Sequence, residues 1–125
     1  MTTQNEGPAI VIENWITLID AMDKGVRDMR EAAPDVMKAF SGIAKAAHGG
    51  TALDYKTKEL IALAIAVATR CTPCIAYHAR DAARAGAARA EIAETLGMAV
   101  YMGAGPSAMY AAEALEAFDQ TSSKN

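Results

Sequence analysis

The sequence predicts an all-α protein of about six helices in one domain. Three observations predict it. Hydrophobic residues make up 52% of the 125-residue chain, yet aromatics supply only 6%. Alanine carries much of the hydrophobic share; it is the best helix former and fills a sheet poorly. Apolar residues recur at three- and four-residue spacing, and no stretch alternates as a strand would. The length suits a single domain, residues 1–125, with a core of its own.

Each helix has its own signal. From Ile10, apolar residues fall at Ile12, Trp15, Ile16, Ile19, Met22, Val26 and Met29, one stripe of a first helix. Pro34 suits the first turn of a second, whose apolar face is Val36, Met37, Phe40, Ile43, Ala44 and Ala47. Gly49-Gly50 closes it. Asp54 is the expected N-cap of a third helix over about 55–70. Its LIALAIAVA run has no polar face, so it should be the central, most enclosed element. Thr72 and Pro73 are read as N-cap and first residue of a fourth helix, running to Ala85 and stopped by Gly86. A fifth spans about 88–102. Gly103-Ala104-Gly105-Pro106 reads as a break, and a sixth runs from Pro106 to about Phe118. The termini, 1–7 and 120–125, are polar and expected to be flexible. There is no internal repeat.

Charge and composition exclude several classes of function. Net charge is −3, from 15 acidic and 12 basic residues, and no block of Lys and Arg stands out. Nucleic acid and anionic membrane are therefore poor partners. The N-terminus does not read as a secretory signal. The longest apolar run, Leu60 to Ala68, is far short of the roughly 20 residues that cross a bilayer. A cytoplasmic protein is the default expectation. Six short helices, one of them apolar all round, would leave much surface uncovered, so a homo-oligomer is expected.

The chemistry gathers in RCTPCIAYH, residues 70–78. Both cysteines of the chain lie there. In a reducing compartment such a pair is catalytic or metal-binding more often than structural. On the helix reading, Cys74 stands in the first turn, where unpaired backbone N–H groups favour thiolate. His78 follows four residues later on the same face, placed to exchange a proton with the sulfur. Cys71 is near enough in sequence to pair with Cys74. Two-electron thiol chemistry fits this arrangement. Zinc competes, with Cys71, Cys74 and His78 as ligands, but a fourth would have to come from Glu59 or His48. The plainest alternative is two buried cysteines beside an incidental histidine.

Glu59, Cys71, Cys74 and His78 together form E-x11-C-x2-C-x3-H within a helical context. This pattern resembles the motif of alkylhydroperoxidase D (AhpD)-like proteins of the carboxymuconolactone decarboxylase family. The resemblance covers about residues 55–105. It implies an all-helical trimer or hexamer that acts as a thiol-dependent peroxidase, a peroxiredoxin-type activity on organic hydroperoxides. Under it, Cys74 attacks the peroxide and becomes a sulfenic acid. Cys71 donates a proton and closes the disulfide, and His78 and Glu59 form a proton relay. A lipoyl-protein or thioredoxin-type dithiol then reduces the disulfide. No flavin, haem or nicotinamide is implied at the site. The better-studied AhpD enzymes carry a histidine immediately before the second cysteine, where this chain has Pro73. True carboxymuconolactone decarboxylases share the fold but generally lack the cysteine pair, so Cys71 and Cys74 argue against decarboxylation.

Glu59 poses a geometric problem. Twelve helical residues span about 18 Å. In a straight antiparallel hairpin Glu59 would lie far from the sulfurs, so a neighbouring subunit is expected to supply it. Its other reading is a charge near a helix start. Three further features have ordinary readings. His48 is expected to be a helix C-cap. Arg80, Asp81 and Arg84 read as a solvated face. Met98, Met102, Met109, Tyr101 and Tyr110 read as core or subunit contact rather than an alkyl pocket. Tyr77 is placed where it could gate the site.

Overall fold

The computed structural model describes residues 10–123. Five helices follow in order: α1 (Trp15–Ala32), α2 (Pro34–Ala47), α3 (Tyr55–Ala68), α4 (Thr72–Arg84) and α5 (Arg89–Ser122). The all-α expectation is met, and the described residues contain no strand. Residues 1–7, expected to be flexible, lie outside the described residues.

Helices α3, α4 and α5 pack against one another and form the centre, and α1 lies across α4 and α5. Leu63 and Val67 of α3, Ile75 and Ala79 of α4, and Ile92 and Ala114 of α5 are buried together with Trp15. Each large apolar side chain so buried contributes about 1.5–3 kcal/mol. α3 is indeed central, though not enclosed on every side: Ile61 and Ile65 stay half exposed. α2 buries none of its residues and meets only α1 among the helices. Val36, Phe40 and Ile43, its expected apolar face, are 61–68% exposed in the single chain.

Several boundaries differ from expectation, each for a local reason. α1 begins at Trp15 because the Asn14 side chain caps it, accepting from Thr17 N–H at 3.0 Å. Ile10 and Ile12, counted into its stripe, precede the helix and are exposed. The fifth and sixth helices run as one element. The predicted break survives as a kink at Ala104 (φ 53°, ψ −133°), beside Pro106, which has no N–H for the ladder. A Cβ at Gly103 would run into the Ser107 hydroxyl, so only glycine fits that bend. The end of α5 passes Phe118 and reaches Ser122, so 120–122 are ordered helix rather than a flexible tail. Thr121 is buried and donates to Ala117 O at 2.7 Å.

Among the described residues no helix is long and apolar enough to cross a membrane.

Candidate active site

The turn from α3 into α4 builds one wall of the site. Arg70 takes a left-handed conformation (φ 61°), and Cys71 N–H returns to Ala66 O at 3.0 Å. The chain reverses within three residues, so α4 starts directly below the end of α3. The N-cap of α4 is Cys71, not Thr72: its sulfur accepts from Cys74 N–H at 3.2 Å. Thr72 is the first helical residue and turns to α5, where its hydroxyl donates to Glu113 Oε1 at 3.1 Å. Pro73 follows, where its missing N–H costs nothing. Cys71 and Cys74 form a disulfide and are both half-buried.

The second wall is a charged cluster between α3 and α4. Glu59 is 2% exposed, and its Oε1 lies 2.7 Å from His78 Nδ1. A buried carboxylate requires such partners. The contact forms within one chain, so the expectation that a neighbouring subunit supplies Glu59 is corrected. The other oxygen, Oε2, lies 3.4 Å from Nε2 of His48. His48 does stand at the C-cap of α2, but its imidazole reaches Glu59 rather than only facing its own helix end. Its ring meets Tyr55 at 5.3 Å between centroids, tilted by 49°. Burial, then the negative charges of Glu59 and Asp81, push the Tyr55 phenol up from its ordinary value.

Sequence reasoning missed Tyr55 here, and it named His48 only as a helix cap or a spare zinc ligand, not as a neighbour of Glu59. Tyr55 had a signal, since it lies four residues before Glu59 on one helix face. His48 had none in local spacing. Only the count was suggestive: the chain has two histidines, and both meet the same carboxylate.

A metal centre would take a different shape from the one expected. Glu59, His78 and Asp81 each bring one ligand atom within 4.8 Å of the others. That trio contains no sulfur, and the cysteines are bonded to each other. Asp81 is engaged by Arg80 at 3.1 Å and approached by Arg84 at 4.0 Å. The Arg80 guanidinium also sits 5.1 Å over the Tyr77 ring, and its side chain is only 22% exposed, so it is no simple solvated residue.

Tyr77 is fastened rather than loose. Its hydroxyl donates to Asp23 Oδ1 of α1 at 2.6 Å. Tyr77 also lines a cleft of about 370 Å³ with Val26, Arg27 and Phe40. The methionines behave otherwise than a core would: Met98, Met102 and Met109, with Tyr101, are 60–78% exposed.

The signature of the carboxymuconolactone decarboxylase family matches residues 34–117, from the start of α2 to the buried end of α5. The chain belongs to this family. An uncharacterized protein from Cupriavidus necator is 45% identical over 89 residues, covering 71% of this chain and 79% of that protein. Uncharacterized protein 4 in the cox locus of Paracoccus denitrificans is 37% identical over 89 residues, 71% and 80% of the two chains. Among solved structures, apo-lpg0406, a carboxymuconolactone decarboxylase family protein from Legionella pneumophila, is 49% identical. It superposes with a TM-score of 0.83 over 86% of this chain and 96% of its own. Within the carboxymuconolactone decarboxylase fold, then, this member carries a C-x2-C pair at the start of α4 and a His–Glu–His cluster whose His78 stands four residues further along that helix.

Proposed function

We propose that the protein is a thiol-dependent peroxidase that reduces organic hydroperoxides through Cys74 and Cys71. The observation that carries this reading is the cysteine pair at the start of α4, one helical turn from a histidine held by a buried carboxylate. The hydrogen bond from Nδ1 to Glu59 selects the tautomer whose Nε2 is free to accept a proton. That nitrogen takes the Cys74 proton. The thiolate attacks the peroxide, an S–O bond forms and the O–O bond breaks. The leaving alkoxide takes the proton back from His78 and departs as the alcohol. Cys74 is now a sulfenic acid.

Cys71 completes the cycle. As its thiolate it occupies the N-cap, where Cys74 N–H stabilises negative charge on sulfur. It attacks the Cys74 sulfur, the disulfide forms, and hydroxide leaves and is protonated to water. Two electrons from an external dithiol, a lipoyl-protein or a thioredoxin-type protein, restore both thiols. Pro73 carries no proton, so the relay runs through His78 and Glu59 alone on this helix pair.

The same reading includes self-association. The exposed Val36, Phe40 and Ile43 on α2, with Ile61 and Ile65 on α3, give an apolar surface that a second copy of this chain would cover.

Peroxide turnover by wild type, Cys71→Ser and Cys74→Ser tests the reading, with a lipoyl or thioredoxin-type reductant. Cys74→Ser abolishes sulfenate formation, and Cys71→Ser traps it on Cys74. Sulfenate found only on Cys71 reverses the two roles. A decarboxylase activity that survives loss of both sulfurs overturns the reading.

A further inference from the structure

We propose that His48 is a positioning residue of this site. Its imidazole holds Oε2 of Glu59, so that Oε1 keeps His78 in the tautomer with Nδ1 protonated and Nε2 free. This rests on the thiol reading above for its purpose, though not for its geometry.

The argument begins with Glu59. The torsion that turns a carboxylate is broad and roughly two-fold, so a single hydrogen bond leaves the group free to rock about it. Here each oxygen faces an imidazole: Oε1 is hydrogen-bonded to His78 of α4 at 2.7 Å, and Oε2 lies 3.4 Å from Nε2 of His48 at the end of α2, a charge-pair approach longer than the His78 bond. Two partners fix the plane of the group. The fixed plane in turn fixes the direction in which Oε1 accepts from His78.

His48 is itself well held. Its backbone N–H donates to Ala44 O at 3.1 Å and that of Gly49 to Ala46 O at 3.1 Å, which closes α2. Its ring rests against Tyr55. The segment that follows is tied to α3 by Lys58, whose Nζ donates to Gly50 O at 2.8 Å. Apart from this attachment, α2 touches only α1 and buries nothing. A helix so loosely integrated nevertheless delivers one imidazole to a carboxylate that is 2% exposed. The groups that face the imidazole are Tyr55 and Glu59 on α3, with His78 and Asp81 of α4 beyond the carboxylate.

A helix-capping role alone would have none of these consequences. It would set the stability of α2 and leave His78 untouched.

The test uses the full chain, reduced, with two substitutions. His48→Phe keeps a ring against Tyr55 but removes both nitrogens. His48→Gln restores an N–H donor for Oε2. The first readout is the nitrogen NMR signature of the His78 ring, which reports its tautomer without any peroxide. Wild type shows one tautomer, protonated on Nδ1. His48→Phe shows a mixture, and His48→Gln returns it towards the wild-type pattern. The second readout is the alkylation rate of Cys74 in a Cys71→Ser background. It falls about two- to fivefold in His48→Phe, the size of one partly exposed charge pair, and recovers most of that loss in His48→Gln. The double variant with Glu59→Gln is no slower than Glu59→Gln alone, because both changes act through one carboxylate.

An unchanged His78 tautomer in His48→Phe overturns the proposal, as do fully additive losses in the double variant. The two readings fail separately. A Cys74 inert to peroxide, with a tautomer that still follows residue 48, removes the peroxidase and leaves the positioning role. Peroxide turnover that ignores residue 48, with an unmoved tautomer, does the reverse.

Discussion

Glu59 and His78 meet at 2.7 Å across the α3–α4 hairpin, inside one chain. The obstacle foreseen from the sequence was the distance of about 18 Å from Glu59 to Cys71 along the helix. That distance is real but it is not the one that matters. α4 runs back beside α3, and His78 lies six residues into it. Nine residues separate Glu59 from the end of α3. At 1.5 Å per residue the two levels differ by only about 4.5 Å, which the side chains span. His78 then covers the remaining turn to Cys74. The relay is folded along the hairpin rather than stretched across it.

Glu59→Gln should therefore weaken the site more than the fold. The amide keeps the volume but removes the negative charge that both imidazoles face. The alkylation rate of Cys74 at neutral pH should drop by about ten- to a hundredfold, as when the partner orienting an imidazole is lost. Glu59→Leu leaves His78 Nδ1 unpaired against an apolar group and should also cost about 1–3 kcal/mol in urea unfolding. Equal losses of rate and stability in the two variants would contradict this division.

The helices were legible in the sequence because their signals are local. Asp54 caps α3 as expected and Gly86, at φ 90°, ends α4. The motif residues Glu59, Cys71, Cys74 and His78 also share a hairpin, which periodicity can place. What failed was non-local or competitive. Ile10 and Ile12 fit the stripe of α1, but Asn14 wins the cap and the helix starts after them. Thr72 is the better N-cap by residue type, yet Glu113 of α5 takes its hydroxyl and leaves the cap to the Cys71 sulfur. The Gly-Pro break at 103–106 bends α5 instead of ending it, because packing of the far arm, with Ala114, Ala117 and Phe118 buried, holds it in line. His48 could not be tied to Glu59 by spacing, since it lies past the end of α2 and reaches α3 only through a tertiary contact.

Tyr77 offers a prediction at high pH. Burial, and then its hydrogen bond to Asp23 and that residue's charge, push its phenol up to about 12. A folded-state value above the unfolded one gives stability that is complete below pH 10 and lost as the pH rises through about 12. Ultraviolet titration of tyrosinate should show a late step that disappears in Tyr77→Phe. The same substitution should flatten the alkaline loss of stability. A late step that persists would assign it to another tyrosine.

At the acid end the equivalent group is Glu116. It accepts from Ile12 N–H, Glu13 N–H and the Trp15 indole at 2.8–3.0 Å. Burial pushes the carboxyl up, but these three hydrogen bonds together outweigh it and hold it below its ordinary value of 4.5. The stabilisation is therefore present above pH 4.5 and is lost as the pH falls through the lower folded value. Trp15 is the only tryptophan of the chain and is fully buried, so its fluorescence reports the docking of α1 directly. Glu116→Ala should strand the indole N–H, cost about 1–3 kcal/mol, and remove the acid dependence of the Trp15 signal. An acid transition unchanged in the variant would place its cause elsewhere.

The surface of α2 separates a loose helix from an interface. A lone 14-residue helix is marginal in water even with good propensity. α2 holds its shape here while burying nothing, and its Phe40 is 61% exposed between Val36 and Ile43. If a second copy covers that face, light scattering of the wild type should give a mass of several chains at micromolar concentration. Phe40→Glu puts a charge into the contact and should shift the mass towards one chain, lowering the melting temperature as α2 loses its cover. Hydrogen exchange along α2 should be slow in the wild type and fast in the variant, because a helix without partners opens freely. A monomeric wild type with a slowly exchanging α2 would mean that α1 alone sustains it, and the apolar face would then need another occupant.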